Sequence, residues 1–303
     1  MKSKLLLIGS SILLFAAVIV CIVLSSRQVS ANEKDYYILD SYAFEQGDPY
    51  DEASVDRLAA KINTLQATLF PDNEVYVSII PEKEHYADDR APAGTDYDTL
   101  VRRLDDRLAE AELIRIDDML ALESYYHTDP HWRQEALFPV AERLGKHMGF
   151  VALASEFTTE SWDGFQGTCA SYIDLGNQTE TITWLTDAAV QAAQVTYYGH
   201  EASRSVYNTL HLEENGYDMF LEGAVPLLTI DNPLCTTGET LVMFRDSFGS
   251  SLAPLLVHQY SRIVMIDLRY MHSNLLKELV EFGDAQVLFL LSTSIANQSL
   301  VLR

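Results

Sequence analysis

Three runs in the last third of the chain, 240–244, 262–267 and 285–291, are apolar at successive positions rather than at alternate ones. A strand with one wet face alternates, so a strand apolar on both faces must be covered on both. Helix-like segments, 250–260 and 274–281, separate these runs. A strand followed by a helix and another strand forms a parallel pair with the helix laid across one face.

The first half repeats the rhythm. Over 53–70, Val55, Leu58, Ala59, Ile62, Leu65 and Leu69 share one helical face, and the β-branched run 75–80 reads as a strand closed by Pro81. Residues 97–112 read as a second helix with Leu100, Val101, Leu104 and Leu108 inward, 113–116 as a strand and 135–148 as a third helix. The Tyr-rich segment 36–44 reads as one short strand before a turn at Gly47-Asp48-Pro49. Only the middle, 152–232, lacks sustained periodicity. Its Trp162, Trp184, Tyr172, Tyr197, Tyr198, Tyr207 and Tyr217 suit either a sugar-binding groove or a small core. The expected fold is therefore α/β: one domain, 32–303, with a parallel sheet flanked by helices and an irregular insertion at about 152–232.

Lys2 and Lys4 precede an uncharged stretch whose apolar core, 5–24, is about as long as a helix that crosses a bilayer. Two fates compete. Val29-Ser30-Ala31 offers a cleavage site for a signal peptide, while the full-length apolar core and Arg27 favour a retained transmembrane anchor with its N-terminus inside. A lipoprotein reading of Cys21 is weakened by Val20, where a small residue is wanted. Either fate makes 32–303 extracytoplasmic. Of the 21 Lys and Arg residues three lie in the first 31 positions and none of the 44 acids does, leaving the exported part with a net charge of -26. Such a surface repels phosphate, so nucleic acid is not an expected partner. Three cysteines are too few for a disulfide scaffold, but Cys169 and Cys235 both fall in the exported part, where a disulfide between them is allowed.

Two short segments carry chemistry. In Met243-Phe244-Arg245-Asp246-Ser247-Phe248-Gly249 a strand runs into Asp-Ser, then Gly, then a helix. That lifts Ser247 above the carboxyl edge of the sheet, with the helix N-terminus offering N–H groups to an oxyanion. Its plain alternative is a helix cap. In Tyr125-Tyr126-His127-Thr128-Asp129-Pro130-His131-Trp132, His131 can serve as a base and Asp129 as the carboxylate that orients it. Here too a cap is the plain alternative, since Asp-Pro commonly opens a helix. A metal held by His127, Asp129 and His131 is a further alternative, without other ligands in evidence. His147, His200, His211 and His258 read as surface or internally satisfied residues.

Together and in this order the two segments resemble the DHHW proteins. Tyr125-Tyr126 with Thr128-Asp129-Pro130-His131-Trp132 is similar to the Tyr-Tyr-x-Thr-Asp-His-His-Trp segment that names that family. Phe244-Arg245-Asp246-Ser247-Phe248 and Val264-Met265-Ile266-Asp267-Leu268-Arg269-Tyr270 resemble its Asp-Ser-Tyr and Asp-Leu-Arg-Tyr segments, and residues 217–232 and 287–290 also fit. The resemblance implies an SGNH-hydrolase-like fold related to the proteins of alginate O-acetylation. It also implies a triad with Ser247 as nucleophile, His131 as base and Asp129 as its orienter. The implied reaction is acetyl transfer to, or removal from, a cell-surface polysaccharide, without cofactor or metal, and with a membrane-bound O-acyltransferase as acetyl donor. Pro130 stands in place of the first histidine of the family motif; Asp-x-His suffices in the alginate relatives. Gly223-Ala224 stands where Gly-Asn is expected, which weakens one oxyanion or substrate contact. Arg269 is a candidate substrate contact, with a structural arginine as the alternative. Two other readings stay open: a catalytically silent polysaccharide-binding or scaffold component of an exopolysaccharide assembly, and a metal-dependent hydrolase.

Overall fold

The computed structural model describes residues 35–152, 157–200 and 202–303. The apolar segment 5–24, with the choice between anchor and cleaved signal, lies outside them. Among the described residues no helix is long and apolar enough to cross a membrane. The chain divides into Met1–Asp35 and Tyr36–Arg303, and every element below belongs to the second unit.

Strands β1 (Tyr36–Leu39) and β2 (Tyr42–Glu45) form a hairpin where a single strand was expected. Its two turn residues, Asp40 and Ser41, have φ of 49° and 69°. The left-handed region at both positions matches the twist of a two-residue hairpin, but Asp-Ser lacks the glycine that usually signals one. Helix α1 (Glu52–Leu69) is capped by Asp51, which accepts the Ser54 N–H at 3.1 Å, and it buries the expected face from Val55 to Leu65. Strand β3 (Val75–Ile80) follows, buried at every position. Helix α2 (Tyr97–Asp105) is shorter than expected. The N–H of Leu108 still reaches the Leu104 carbonyl, at 3.0 Å, before the chain turns into β4 (Glu112–Leu113) beside β3. Helix α3 (Phe138–Met148) ends on Gly149 at φ 80°.

The segment read as irregular contains a good deal of regular structure. Strands β5 (Thr158–Phe165) and β6 (Glu180–Thr186) pair as a separate antiparallel hairpin. Helix α4 (Ala188–Ala192) leads to β7 (Gln194–Tyr197), and β8 (Leu227–Asp231) follows a run of short turns. Next come β9 (Thr240–Arg245), α5 (Gly249–Leu252), β10 (Arg262–Ile266), α6 (Leu276–Leu279), β11 (Gln286–Ser292) and α7 (Thr293–Asn297). The helix expected over 250–260 is a single α-turn that continues as the 3-10 turn Ala253–Leu256, because Pro254 has no N–H to extend the ladder.

The main sheet has seven strands in the order β4-β3-β11-β9-β10-β8-β7. The first five are parallel, as expected. β8 then adds antiparallel to β10, from Arg262 opposite Asp231 to Ile266 opposite Leu227, and β7 adds antiparallel to β8. The sheet is mixed, not wholly parallel, and the insertion supplies its outer two strands, so β10 presents no bare edge. Alternate residues of β9 divide between the two faces: Leu241 and Met243 pack in one core and Val242 and Phe244 in the other. β10 and β11 divide in the same way, which is why these strands read as unbroken apolar runs.

A third, smaller core gathers Tyr126, Phe165, Ile182, Trp184, Tyr217 and Phe220, with Trp162 and Tyr207 packed against it. Most of the aromatics that suited either a groove or a core are therefore core, although Tyr172 and Tyr198 are exposed.

Candidate active site

β9 delivers Asp246 to the carboxyl edge of the sheet, where it is buried. Its Oδ1 accepts the Phe248 N–H at 3.1 Å, and its Oδ2 accepts the Ser292 N–H at 2.7 Å from the end of β11. Asp246 therefore staples two parallel strand ends together and fixes the turn that carries Ser247.

The second segment forms a tight loop. Tyr125 and Trp132 bridge antiparallel, and the Tyr126 N–H donates to the His131 carbonyl at 3.1 Å. Trp132 buries its ring completely and donates its indole N–H to the Phe248 carbonyl at 3.0 Å and to Ser251 Oγ at 2.9 Å. Gln134 Nε2 reaches the Ser251 carbonyl at 2.7 Å. The two segments, remote in sequence, are thus locked to each other.

Within that lock His131 Nε2 lies 2.7 Å from Ser247 Oγ, and His131 Nδ1 lies 2.6 Å from Asp129 Oδ1. A carboxylate only accepts, so Nδ1 carries the proton and Nε2 is left to accept from the serine hydroxyl. Asp129 Oδ1 also takes the His131 N–H at 3.0 Å, while Oδ2 takes the Thr168 N–H at 2.9 Å and its hydroxyl at 3.0 Å. Tyr217 stacks flat on the imidazole, with centroids 3.9 Å apart, and its hydroxyl meets Ser251 Oγ at 2.8 Å. In such a series the imidazole can remove the hydroxyl proton and return it to a leaving group.

Burial by itself would push the Asp129 carboxyl up. His131 and the amide hydrogen bonds from Thr168 and His131 outweigh burial and hold it at about 2. A depressed acid stabilises the fold above its ordinary value of 3.8, and this contribution disappears as pH falls through the native value. Between pH ~4 and ~2 the wild type is expected to lose about 2 kcal/mol more stability than Asp129→Asn does. Urea unfolding of both proteins at the two pH values measures this; equal losses would mean that Asp129 is not held as an anion.

Several expectations need correction. The amides after Ser247 are not free for an oxyanion. Those of Phe248, Gly249 and Ser250 already donate to the Asp246 carboxylate, the Asp246 carbonyl and the Ser247 carbonyl, at 3.1, 3.2 and 3.1 Å. A turn this tight consumes the N–H groups that a longer helix would leave pointing outward. His127 does not join Asp129 and His131: its ring stacks on Tyr42 at 3.7 Å and its Nδ1 meets Ser41 Oγ at 3.1 Å. Among the described residues no group of three or more His, Cys, Asp or Glu side chains could hold a metal ion. Cys169 and Cys235 are both free, Cys169 buried beside the Asp129 loop and Cys235 with its Sγ 3.3 Å from the His258 carbonyl.

Arg269 holds the buried Asp267, with Nε 3.0 Å from Oδ1 and Nη2 2.6 Å from Oδ2, the arrangement of the structural alternative. Arg245, fully buried, donates to the Gly223 carbonyl from Nη1 and Nη2, at 3.3 Å each, and this gives Gly223-Ala224 a structural part.

The chain was compared with known proteins. No family's sequence profile matches it, and no curated protein does. Solved structures do. A DHHW family protein from Eubacterium siraeum superposes with a TM-score of 0.73 at 18% identity, over 88% of this chain and 93% of that one. The fold is the one a DHHW family protein adopts. Bacillus cereus PatB1 with a sulfonyl adduct matches at TM-score 0.71 and 16% identity, over 88% of this chain and 97% of that one. The O-acetyltransferase domain of Pseudomonas putida AlgJ matches at TM-score 0.54 and 14% identity, over 87% and 92%.

Ser247, His131 and Asp129, singled out in the sequence, meet on this DHHW-type fold, whereas His127 and Arg269 are otherwise engaged. Thr168, Tyr217 and Trp132 were missed as partners of that group. One trace of Thr168 exists in hindsight. A Cβ on the neighbouring Gly167 would lie 2.2 Å from Asp129 Cβ, so only glycine lets this segment close on the carboxylate. Nothing in the local pattern marks that glycine as different from its fellows.

Proposed function

We propose that the protein is an extracytoplasmic, serine-dependent O-acetyltransferase or acetylesterase of the SGNH-like kind that acts on a cell-surface polysaccharide. The observation that carries the reading is the unbroken series Ser247 Oγ, His131 Nε2, His131 Nδ1, Asp129 Oδ1, with contacts of 2.7 and 2.6 Å. It stands on a fold shared with an O-acetyltransferase domain. His131 takes the proton as Ser247 Oγ attacks the acetyl carbonyl, and the collapsing tetrahedral intermediate releases its alcohol with that proton. The acetyl-serine then passes its acyl group to a sugar hydroxyl or to water, with His131 again as base. Asp129 holds the Nδ1–H tautomer and stabilises the imidazolium. Since three amides beyond Ser247 are already engaged, an oxyanion would draw on the Ser247 N–H and on groups brought by neighbouring loops. A membrane-bound O-acyltransferase is the donor that suits an anchored, exported partner.

Those spent amides favour one other reading, a catalytically silent component of an exopolysaccharide assembly. The purified protein, given a chromogenic acetate ester with and without oligosaccharide acceptors, separates the two. Turnover, with acetylated sugar formed when acceptor is present, is the expected result. A folded protein that neither turns over nor reacts with a fluorophosphonate at Ser247 would leave the silent reading standing.

A further inference from the structure

We infer that Lys83 and Glu180 are positioning residues that clamp the backbone of the Asp129 loop from opposite chemical sides, Lys83 through its carbonyls and Glu180 through its amides. This rests on the roles proposed above for His131 and Asp129.

Lys83, just after β3, is only 3% exposed, with its ammonium 5.4 Å from the Phe44 ring centroid. Its Nζ donates to the Tyr126 carbonyl at 3.0 Å and to the Asp129 carbonyl at 2.8 Å, one near each end of the stretch that leads into the triad. Glu180, the first residue of β6, reaches the residues between. Its Oε2 accepts the His127 N–H at 2.9 Å, and its Oε1 accepts the Thr128 N–H at 2.7 Å and the Thr128 hydroxyl at 2.6 Å. The Thr128 hydroxyl in turn accepts the Gly167 N–H at 2.8 Å, next to the residue that holds Asp129 Oδ2. Four successive residues, 126–129, therefore each have a main-chain polar group taken by one of two charged side chains, neither of which contacts the imidazole.

Enclosing two charges is a costly way to satisfy main-chain groups if stability is the only gain, since neutral donors and acceptors could make the same hydrogen bonds with a smaller desolvation cost. What the pair supplies is placement. The Asp129 Oδ1 to Nδ1 contact depends on where the Asp129 Cα sits, and the Lys83 ammonium holds the carbonyl attached to that Cα. A displacement of about 1 Å in such a group can cost about 10²-fold in rate.

The test compares the full chain with Lys83→Met, Glu180→Gln and the milder Glu180→Asp, all checked for folding by circular dichroism and thermal melting. Two readouts follow: the rate of fluorophosphonate labelling per folded molecule, and the low-field proton resonance of His131 Nδ1–H. The expected outcome is a 10- to 100-fold slower labelling in folded Lys83→Met and Glu180→Gln, with the resonance lost or moved upfield. Glu180→Asp, which keeps the charge but shortens its reach, should show a smaller change in the same direction. If Lys83→Met does not fold, the two Glu180 variants decide. Variants that melt earlier but label at the wild-type rate and keep the resonance would overturn the inference and leave both residues merely structural. A wild type that never labels, yet whose resonance depends on Lys83 or Glu180, would refute the acyl-transfer reading and leave the clamp standing.

Discussion

Ser247→Ala is expected to lower acetate-ester turnover by about 10⁴- to 10⁶-fold, with the melting temperature nearly unchanged. The size follows from the proposed covalent mechanism: without Oγ there would be no acyl-enzyme, and only binding and oxyanion contacts would remain to assist direct attack by water. The small structural cost follows from what holds the turn. Asp246 fastens it to Phe248 and Ser292, and Trp132 fastens it through the Phe248 carbonyl and Ser251. The Ser247 side chain hydrogen-bonds to His131 Nε2 and takes no part in fastening the turn. Activity-based labelling with a fluorophosphonate should be absent in the variant and should map to Ser247 in the wild type. A variant within about tenfold of wild type would remove Ser247 from the mechanism.

Asp129→Asn is the second large effect, a loss of about 10⁴-fold in kcat. The carboxylate stands between two sets of donors, His131 Nδ1–H with the His131 N–H on one oxygen, and the Thr168 N–H and hydroxyl on the other. An amide cannot serve both. If its oxygen faces His131, its NH₂ faces the two Thr168 donors. If its oxygen faces Thr168, its NH₂ forces the proton onto Nε2, and His131 can no longer accept from Ser247. Either outcome disrupts the site while conserving shape, so kcat should fall far more than KM changes. Steady-state kinetics on the folded variant decide it, and a loss smaller than about tenfold would mean that Asp129 does not orient the base.

Legibility in the sequence followed the range of the interactions. Strands β3, β9, β10 and β11 were visible because burial on both faces writes itself into consecutive residues. Helix α1 was visible because one buried face recurs every three or four positions. The hairpin at 36–45 was missed because its left-handed turn uses Asp40 and Ser41 rather than glycine. β7 and β8 were missed because they are short and their partners lie far along the chain: β7, at the sheet edge, pairs with β8, and β8 pairs with β10, which begins more than thirty residues after β8's first residue. The aromatic residues were visible as a set, but whether they formed a groove or a core depended on burial.

The sequence by itself determined the α/β alternation, the placement of Ser247 at a strand end, and an Asp-x-His pair whose Asp129 and His131 are near enough in the chain to meet. These are local properties, set by side-chain periodicity and by spacings of a few residues. The tertiary structure alone decided that His131 reaches Ser247 across 116 positions, that Thr168, Tyr217, Lys83 and Glu180 surround Asp129 and His131, and that the amides after Ser247 are already bonded. Such contacts arise from the packing of remote segments and from backbone dihedrals, which the side-chain pattern of any one segment does not encode.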